Sequence, residues 1–295
     1  MAAVPDLVRA ARIERALVLT IDHPPVNVLS KSVLVALASR LDEAEDDPEV
    51  RTVVLTSAAE RAFAAGADIR EMAPMGPAEA REHGGRGQAI TRKIERLPLP
   101  VIAAVHGVCF GGGCEIALAC DFIIASPDAQ FGQPEVNLGV MPGWGGTRRL
   151  PRRIGAARAR RWILTGRPVA AAEAAEAGLV DRVVPRTELI ATALALAQEL
   201  STKPAVALAA AKFAVLQSLD PEVDRGLSVE LDLWARLFGT EGQKDGMNAF
   251  LSKVPLTAQA RSDWARDSAG FPWAKDAAPN RTTGKRKKAE VSGSH

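Results

Sequence analysis

The chain reads as an α/β protein with a largely parallel sheet, continued by a stretch that is helical throughout. Short β-branched runs alternate with helical periodicity over residues 1–185, the texture of strand–helix–strand units with parallel pairing. Prolines and glycines punctuate the joins between them. After Pro185 the strand-like runs stop and helical periodicity continues alone.

Taken in order, Ala16–Ile21 (ALVLTI) and Thr52–Thr56 (TVVLT) are expected as buried strands. Between them Lys31–Glu45 carries a helical pattern, closed by Asp46–Pro48. Val101–Val105 (VIAAV) is a third strand, entered through Leu97-Pro98-Leu99-Pro100, which no helix accommodates. Asp121–Ala125 and Leu179–Val184 supply a fourth and a fifth. Helices are expected over Thr187–Leu200, Ala205–Leu219, Val223–Phe238 and Gly242–Lys253. The chain therefore divides into an α/β core (1–185), a helical region (186–260) and an extension (261–295) ending in a polar tail read as disordered.

Composition narrows the class. Hydrophobic residues at 47% and charged residues at 24% are ordinary for a globular protein, and a net charge of +2 calls for no polyanionic partner. Two basic clusters remain, seven arginines from Arg148 to Arg161 and the KRKK of 285–288. The three cysteines, Cys109, Cys114 and Cys120, are an odd number at spacings that match no ligand motif. They are read as small core residues in a reducing compartment, with no metal. Charges interrupt the N-terminal segment, so no signal peptide is expected. No run of about 18 apolar residues is present, so no membrane span is expected and the chain reads as cytoplasmic.

Three glycine-marked segments carry the chemistry. In Phe63-Ala64-Ala65-Gly66-Ala67-Asp68-Ile69, a turn at Gly66 would present the amide of Ala67 above a strand end. In His106-Gly107-Val108-Cys109-Phe110-Gly111-Gly112-Gly113-Cys114-Glu115, a strand ends, three glycines follow and a helix over Glu115–Ala119 begins. Helix N-terminal amides attract negative charge, and two amides from two such turns are what an oxyanion hole needs. In the third, Pro134 stiffens the turn before Glu135, and Gly139 and Pro142-Gly143-Trp144-Gly145-Gly146 open another helix. Glu115 and Glu135 are 20 residues apart (135 − 115), a length that lets the chain go out and return to one cleft. Each feature has an ordinary reading too, since a glutamate opening a helix serves the dipole and a lone glycine run is weak evidence. His106 and His23 are read as ordinary structural histidines.

In combination and in order, FAAGADI, HGVCFGGGCEIALACD, FGQPEVNLGVMPGWGGTRRLPRRIG and AAEAGLVDRVVP resemble the crotonase (enoyl-CoA hydratase/isomerase) superfamily, from about Ile13 to Lys253. That resemblance implies a spiral of ββα units, a C-terminal helical trimerisation region, and trimers or dimers of trimers. It implies that Ala67 and Gly112 give the oxyanion-hole amides, while Glu115 activates water and Glu135 exchanges the α-carbon proton. Ala65, Gly66, Asp68, Ile69, Arg70, Gly111, Gly143 and Lys253 would contact the acyl-CoA, which is the substrate, with no separate cofactor. Met72–Gln88 would border the acyl pocket, and its Gly84-Gly85 suggests mobility.

Having both glutamates favours reversible hydration of 2-trans-enoyl-CoA. Δ3-Δ2-enoyl-CoA isomerisation or another lyase of the superfamily is the alternative. RNA binding by the Arg148–Arg161 stretch is a third reading, set against a plain solvated or intersubunit face.

Overall fold

The computed structural model describes residues 6–218. Its larger sheet has strands β1 (Val8–Ile13), β2 (Ala16–Ile21), β4 (Thr52–Ser57), β7 (Val101–Val105), β9 (Phe122–Ala125) and β12 (Arg182–Val183), side by side in that order. The β1–β2 hairpin is antiparallel, and every later pairing is parallel. A smaller sheet has the order β11 (Val169–Ala170), β10 (Gln130–Gly132), β8 (Val108–Phe110) and β5 (Ala62–Ala64). Strands β3 (Val28–Leu29) and β6 (Gly66–Ala67) form a short parallel pair.

One strand from each sheet, then a helix, makes the repeating unit. The first unit is β4, β5 and α3 (Pro77–Arg96), with the short helix α2 (Ile69–Met72) inserted before α3. The second is β7, β8 and α4 (Gly112–Ala119), and the third is β9, β10 and α5 (Gly146–Ile154). Helices α1 (Lys31–Asp46), α6 (Ala156–Thr165), α7 (Ala171–Glu176), α8 (Leu189–Ser201) and α9 (Ala205–Ser218) complete the described chain. The expected ββα spiral is the observed one.

Two apolar layers sandwich the larger sheet. Alternate side chains such as Val53, Leu55, Val101 and Ala103 join one core with Leu37, Leu41 and Ile94 from α1 and α3. Their neighbours Val54, Ile102 and Ala104 face the other way onto Leu189, Ala193 and Ala197 of α8. Burying each valine or isoleucine this way contributes about 1.5–3 kcal/mol. Helix α4 is buried along its whole length, with Glu115 its one charged residue.

The elements expected from periodicity lie close to where the sequence puts them, whereas the six-residue strand β1 and the longest helix, α3, are absent from that reading. Lys31–Glu45 extends by one residue, and Ser30 caps it by accepting from the amide of Val33. The Leu179–Val184 strand shrinks to Arg182–Val183, because Gly178, at φ +85°, turns the chain just before it. The short strands β5, β8 and β10 are absent from the sequence reading, because strands of three residues leave no periodicity to detect. Met72–Gln88 is not a loose border. Most of it is helical, and Gly84-Gly85 lies inside α3. The helices expected over Val223–Phe238 and Gly242–Lys253, the end of the one expected over Ala205–Leu219, and Lys253 all lie outside the described residues.

Candidate active site

The site forms where the three parallel strands of the smaller sheet, β5, β8 and β10, end. Ala64 of β5 pairs with Cys109 of β8, and Phe110 pairs with Gly132 of β10, so the chain leaves all three strands on one side. From β5 it enters Ala65-Gly66-Ala67; from β8, Gly111 and α4; from β10, Gln133-Pro134-Glu135. Each repeat thus delivers one piece of the site, at the carboxyl ends of parallel strands where α/β sheets commonly bind ligands.

Two glycines let the pieces touch. Gly66 has φ +103°, and a Cβ there would lie 3.2 Å from the Phe110 carbonyl oxygen and 3.7 Å from the Gly112 nitrogen. Gly111 has φ +52°, and a Cβ there would lie 3.2 Å from Glu135 Oε1. Side chains rarely adopt such φ values and would block these approaches. Gly66, Gly111, Gly112 and Glu135 therefore converge, with Ala67 next in the chain. Gly112 is the first residue of α4, where an amide has no acceptor within its own helix. The sequence reading began this helix at Glu115. It starts three residues earlier because the Glu115 amide donates to Gly111 O at 2.9 Å, closing the first turn over the glycines.

Glu115 is 2% exposed, and its Oε1 accepts from the amides of Trp144 at 2.8 Å and Gly146 at 2.7 Å. Gly146 opens α5, so the carboxylate also lies against a helix N-terminus. Burial raises its pKa, while the two amides and the positive charge of Arg149 work against that rise. Helix α3 holds this amide loop from behind. Gln88 donates to Gly143 O at 2.9 Å and Thr91 to Trp144 O at 2.8 Å. Arg149 donates to Trp144 O at 2.9 Å while paired with Glu95 at 2.7 and 2.6 Å.

Glu135 sits in a 3₁₀ turn, Pro134–Leu138, and is half-buried. Its pKa is pushed up to about 7, chiefly by burial, with the negative charge of Glu115 adding to it. Gln133 is fully buried, and with its amide nitrogen turned to the carboxylate it donates to Glu135 Oε1 at 2.9 Å and Oε2 at 3.2 Å. Two carboxyl groups therefore share one site, one gripped by backbone and one held by a side chain and titrating near neutrality.

The other residues singled out in the sequence have their own local settings. Ala65 donates its amide to Val26 O at 3.0 Å. Asp68 caps α2 by accepting from the amide of Arg70, whose mostly exposed side chain pairs with Asp68 at 3.4 Å. Ile69 is exposed at 54% and Gly143 is exposed. His106 is buried and bonded to Ala59 O at 2.9 Å, and His23 to Val28 O at 2.8 Å, both structural roles. The arginine cluster is partly inward: Arg149 holds the loop, and Arg153 donates to Cys120 O and Asp121 O at 2.8 and 2.9 Å. Cys109, Cys114 and Cys120 are free and buried.

Gln133, Gln88, Thr91, Glu95 and Arg149 went unassigned in the sequence. A signal existed for the α3 set, since 88, 91 and 95 fall on one helical face, but the glycines of the same stretch were read as mobility.

A family model described as enoyl-CoA hydratase/isomerase matches residues 13–259. A crotonyl-CoA hydratase of Syntrophomonas wolfei is 42% identical over 241 residues, covering 81% of this chain and 93% of that protein. A short-chain-enoyl-CoA hydratase of Clostridium acetobutylicum is 44% identical over 237 residues, covering 80% and 91%. Among solved structures, an enoyl-CoA hydratase from Bacillus anthracis superposes with a TM-score of 0.81 at 35% identity, covering 85% of this chain and 98% of that one.

Proposed function

Since this chain belongs to the enoyl-CoA hydratase/isomerase family, we propose that it hydrates 2-trans-enoyl-CoA reversibly to 3-hydroxyacyl-CoA. The observation that carries the reading is the pair of unlike carboxyl groups, Glu115 and Glu135, beside the start of α4. Addition of water to a conjugated thioester drives electron density onto the carbonyl oxygen. The amides of Ala67 and Gly112 are the donors for that oxygen, and removing one such donor typically costs about 3–4 kcal/mol. Glu115, with Oε1 fixed by two amides, keeps Oε2 to orient and deprotonate water. Glu135, half protonated near neutrality, delivers the proton to the α-carbon. Unlike titration of two neighbouring carboxyl groups is how one site holds a base and an acid together.

Ala65, Gly66, Asp68, Ile69, Arg70, Gly111, Gly143 and Lys253 are the residues assigned here to acyl-CoA contact. No group of His, Cys, Asp and Glu among the described residues is arranged to hold a metal, and no described helix is long and apolar enough to cross a membrane. The reading includes a cytoplasmic homotrimer or homohexamer with no separate cofactor, and light scattering distinguishes the two assemblies.

Loss of the enoyl absorbance of crotonyl-CoA tests the activity. Glu115→Gln and Glu135→Gln are each expected to lower kcat by about 10²–10⁴-fold. A wild-type protein that leaves the enoyl band unchanged would sink the hydratase reading. Isomerisation would replace it if Glu115→Gln kept full turnover of a 3-enoyl-CoA.

A further inference from the structure

Asn27 has no reacting group to offer, yet its side chain reaches the strand that leads into the site. The residue is fully buried and has φ +51°, a left-handed conformation in which asparagine is enriched. Both ends of its carboxamide are used. Oδ1 accepts from the His23 amide at 2.8 Å, closing the turn before it. Nδ2 donates to Ile21 O at 3.1 Å, to Ser57 Oγ at 2.7 Å and to Phe63 O at 3.1 Å.

Those acceptors belong to three strands. Ile21 ends β2, Ser57 ends β4, and Phe63 lies inside β5. One side chain therefore joins the exit of the larger sheet to the strand that runs into Ala65-Gly66-Ala67. Ser57 doubles the tie, since its hydroxyl donates to Ala62 O at 2.5 Å and accepts from the Ala59 amide at 3.0 Å. Closing the local turn needs only the His23 bond. The bonds to Ser57 and Phe63 span 30 and 36 residues, and they serve β5.

The backbone on either side of Asn27 continues the contact. Val26 O accepts from the Ala65 amide at 3.0 Å, and β3 pairs Val28 with Gly66 and Leu29 with Ala67. Residues 26–29 thus run alongside 65–67, with Asn27 as their buried fixed point. The Gly66 turn lies against the Phe110 carbonyl and the Gly112 nitrogen, so a shift in 65–67 moves the Ala67 amide relative to that of Gly112. Two donors serve one oxygen only while their separation is held. Resting on the hydratase reading above, we propose that Asn27 is a positioning residue of the oxyanion hole, fixing where β5 delivers the Ala67 amide beside that of Gly112.

The test binds butyryl-CoA, isotope-labelled at the thioester carbonyl, to the full chain and reads the carbonyl stretch by infrared difference spectroscopy. This saturated analogue carries the thioester but cannot be hydrated. Hydrogen bonds to the oxygen lower the stretch, so wild type should show the bound band below that of free butyryl-CoA. Asn27→Gly keeps positive φ accessible and deletes the carboxamide, while Asn27→Asp keeps the shape and removes the donors. In both, the band should return toward the free value. Turnover of crotonyl-CoA should fall about 10²-fold in kcat, as a misplaced group costs, with little change in KM. Ser57→Ala cuts one tie and should move the band the same way by less, and it decides the question if both Asn27 variants fail to fold. Leu37→Ala, a buried change on α1, controls for lost stability and should leave the band in place. A purely structural asparagine would lower the melting temperature and leave the band unmoved in every folded variant. That result, or an equal movement in Leu37→Ala, overturns the proposal and leaves the hydratase reading standing. Wild type that binds butyryl-CoA with no lowering of the band overturns the oxyanion-hole assignment on which the hydratase reading and this proposal both rest.

Discussion

Glu115 and Glu135 are the same residue type in one site, and the chain holds them by opposite means. Glu115 projects from a buried helix and is gripped by two backbone amides, which α3 braces through Gln88, Thr91 and the Arg149–Glu95 pair. Glu135 rides on a 3₁₀ turn, half-exposed, with one side-chain amide, that of Gln133, against it. Backbone donors cannot rotate away, so the first carboxylate is fixed in position. A side-chain donor and a partly open setting leave the second free to change protonation state near pH 7. The difference matches what a water-orienting base and a proton-delivering acid each need.

The largest effect that breaks this comparison is removal of the brace behind Glu115. Arg149→Met leaves Glu95 without its partner in a setting where the pair's side chains are only 11% and 20% exposed. Breaking such a pair from one side costs about 3–5 kcal/mol, and partial exposure here places the expectation near the lower end. The carbonyl of Trp144 loses a donor as well, so the amide cradle should loosen and kcat fall by about 10²-fold, as displacements near 1 Å do. Chemical denaturation and steady-state kinetics read the two losses. Adding Glu95→Gln should recover much of the stability and little of the kcat. Recovery of both together would show that Arg149 supports the fold without positioning Glu115.

A smaller effect belongs to the Glu135 side. Gln133→Leu removes a donor to the carboxylate, and a donor favours the charged form. The pKa of Glu135 should therefore be higher in the variant than in wild type. Activity that needs this group protonated then persists to higher pH, so the basic limb of the kcat/KM profile moves up. An unmoved limb would mean that Gln133 fills space without tuning the acid.

How much of this was legible in the sequence differs between the two carboxyl groups. Both glutamates and the glycines Gly66, Gly111 and Gly112 lie in short contiguous motifs, because each strand exit supplies a local turn. Strands β2, β4, β7 and β9 and helices α1, α8 and α9 were legible for the same reason, their periodicity being local. The longest helix, α3, was masked by the glycines inside it. The brace on Glu115 was not. Its donors come from residues 88, 91 and 149, and they meet only when α3 packs across the loop at 143–146. Arg149 was hidden further by its neighbours, since seven arginines from 148 to 161 read as a charged face. Gln133 stood in plain view two residues before Glu135, but nothing in spacing distinguishes a buried amide from a solvated one. Local turn chemistry is written along the chain, and support from across the fold is not.

The smallest effect sharpens the comparison through stability. Folding raises the pKa of Glu135 from its ordinary 4.5 to about 7, so the native state binds this proton more tightly than the unfolded chain does. Stability from this group is therefore fully present below pH 4.5 and is lost as pH rises to about 7. Glu135→Gln removes the charge and with it the loss. The variant should match wild type near the acid end of that window and exceed it above the window, by about 1–2 kcal/mol after allowance for solvent exposure. In a domain of this size that is a rise in Tm of about 2–4 °C per kcal/mol. Thermal melts at about pH 4.5 and about pH 8 make the comparison. A variant less stable than wild type at the higher pH would mean that the buried carboxylate is held as well as Glu115 is, and the contrast between the two would fail. The expected gain says the opposite. At working pH the fold carries a partly ionised, poorly held carboxyl group, and the site needs that group to hand over a proton.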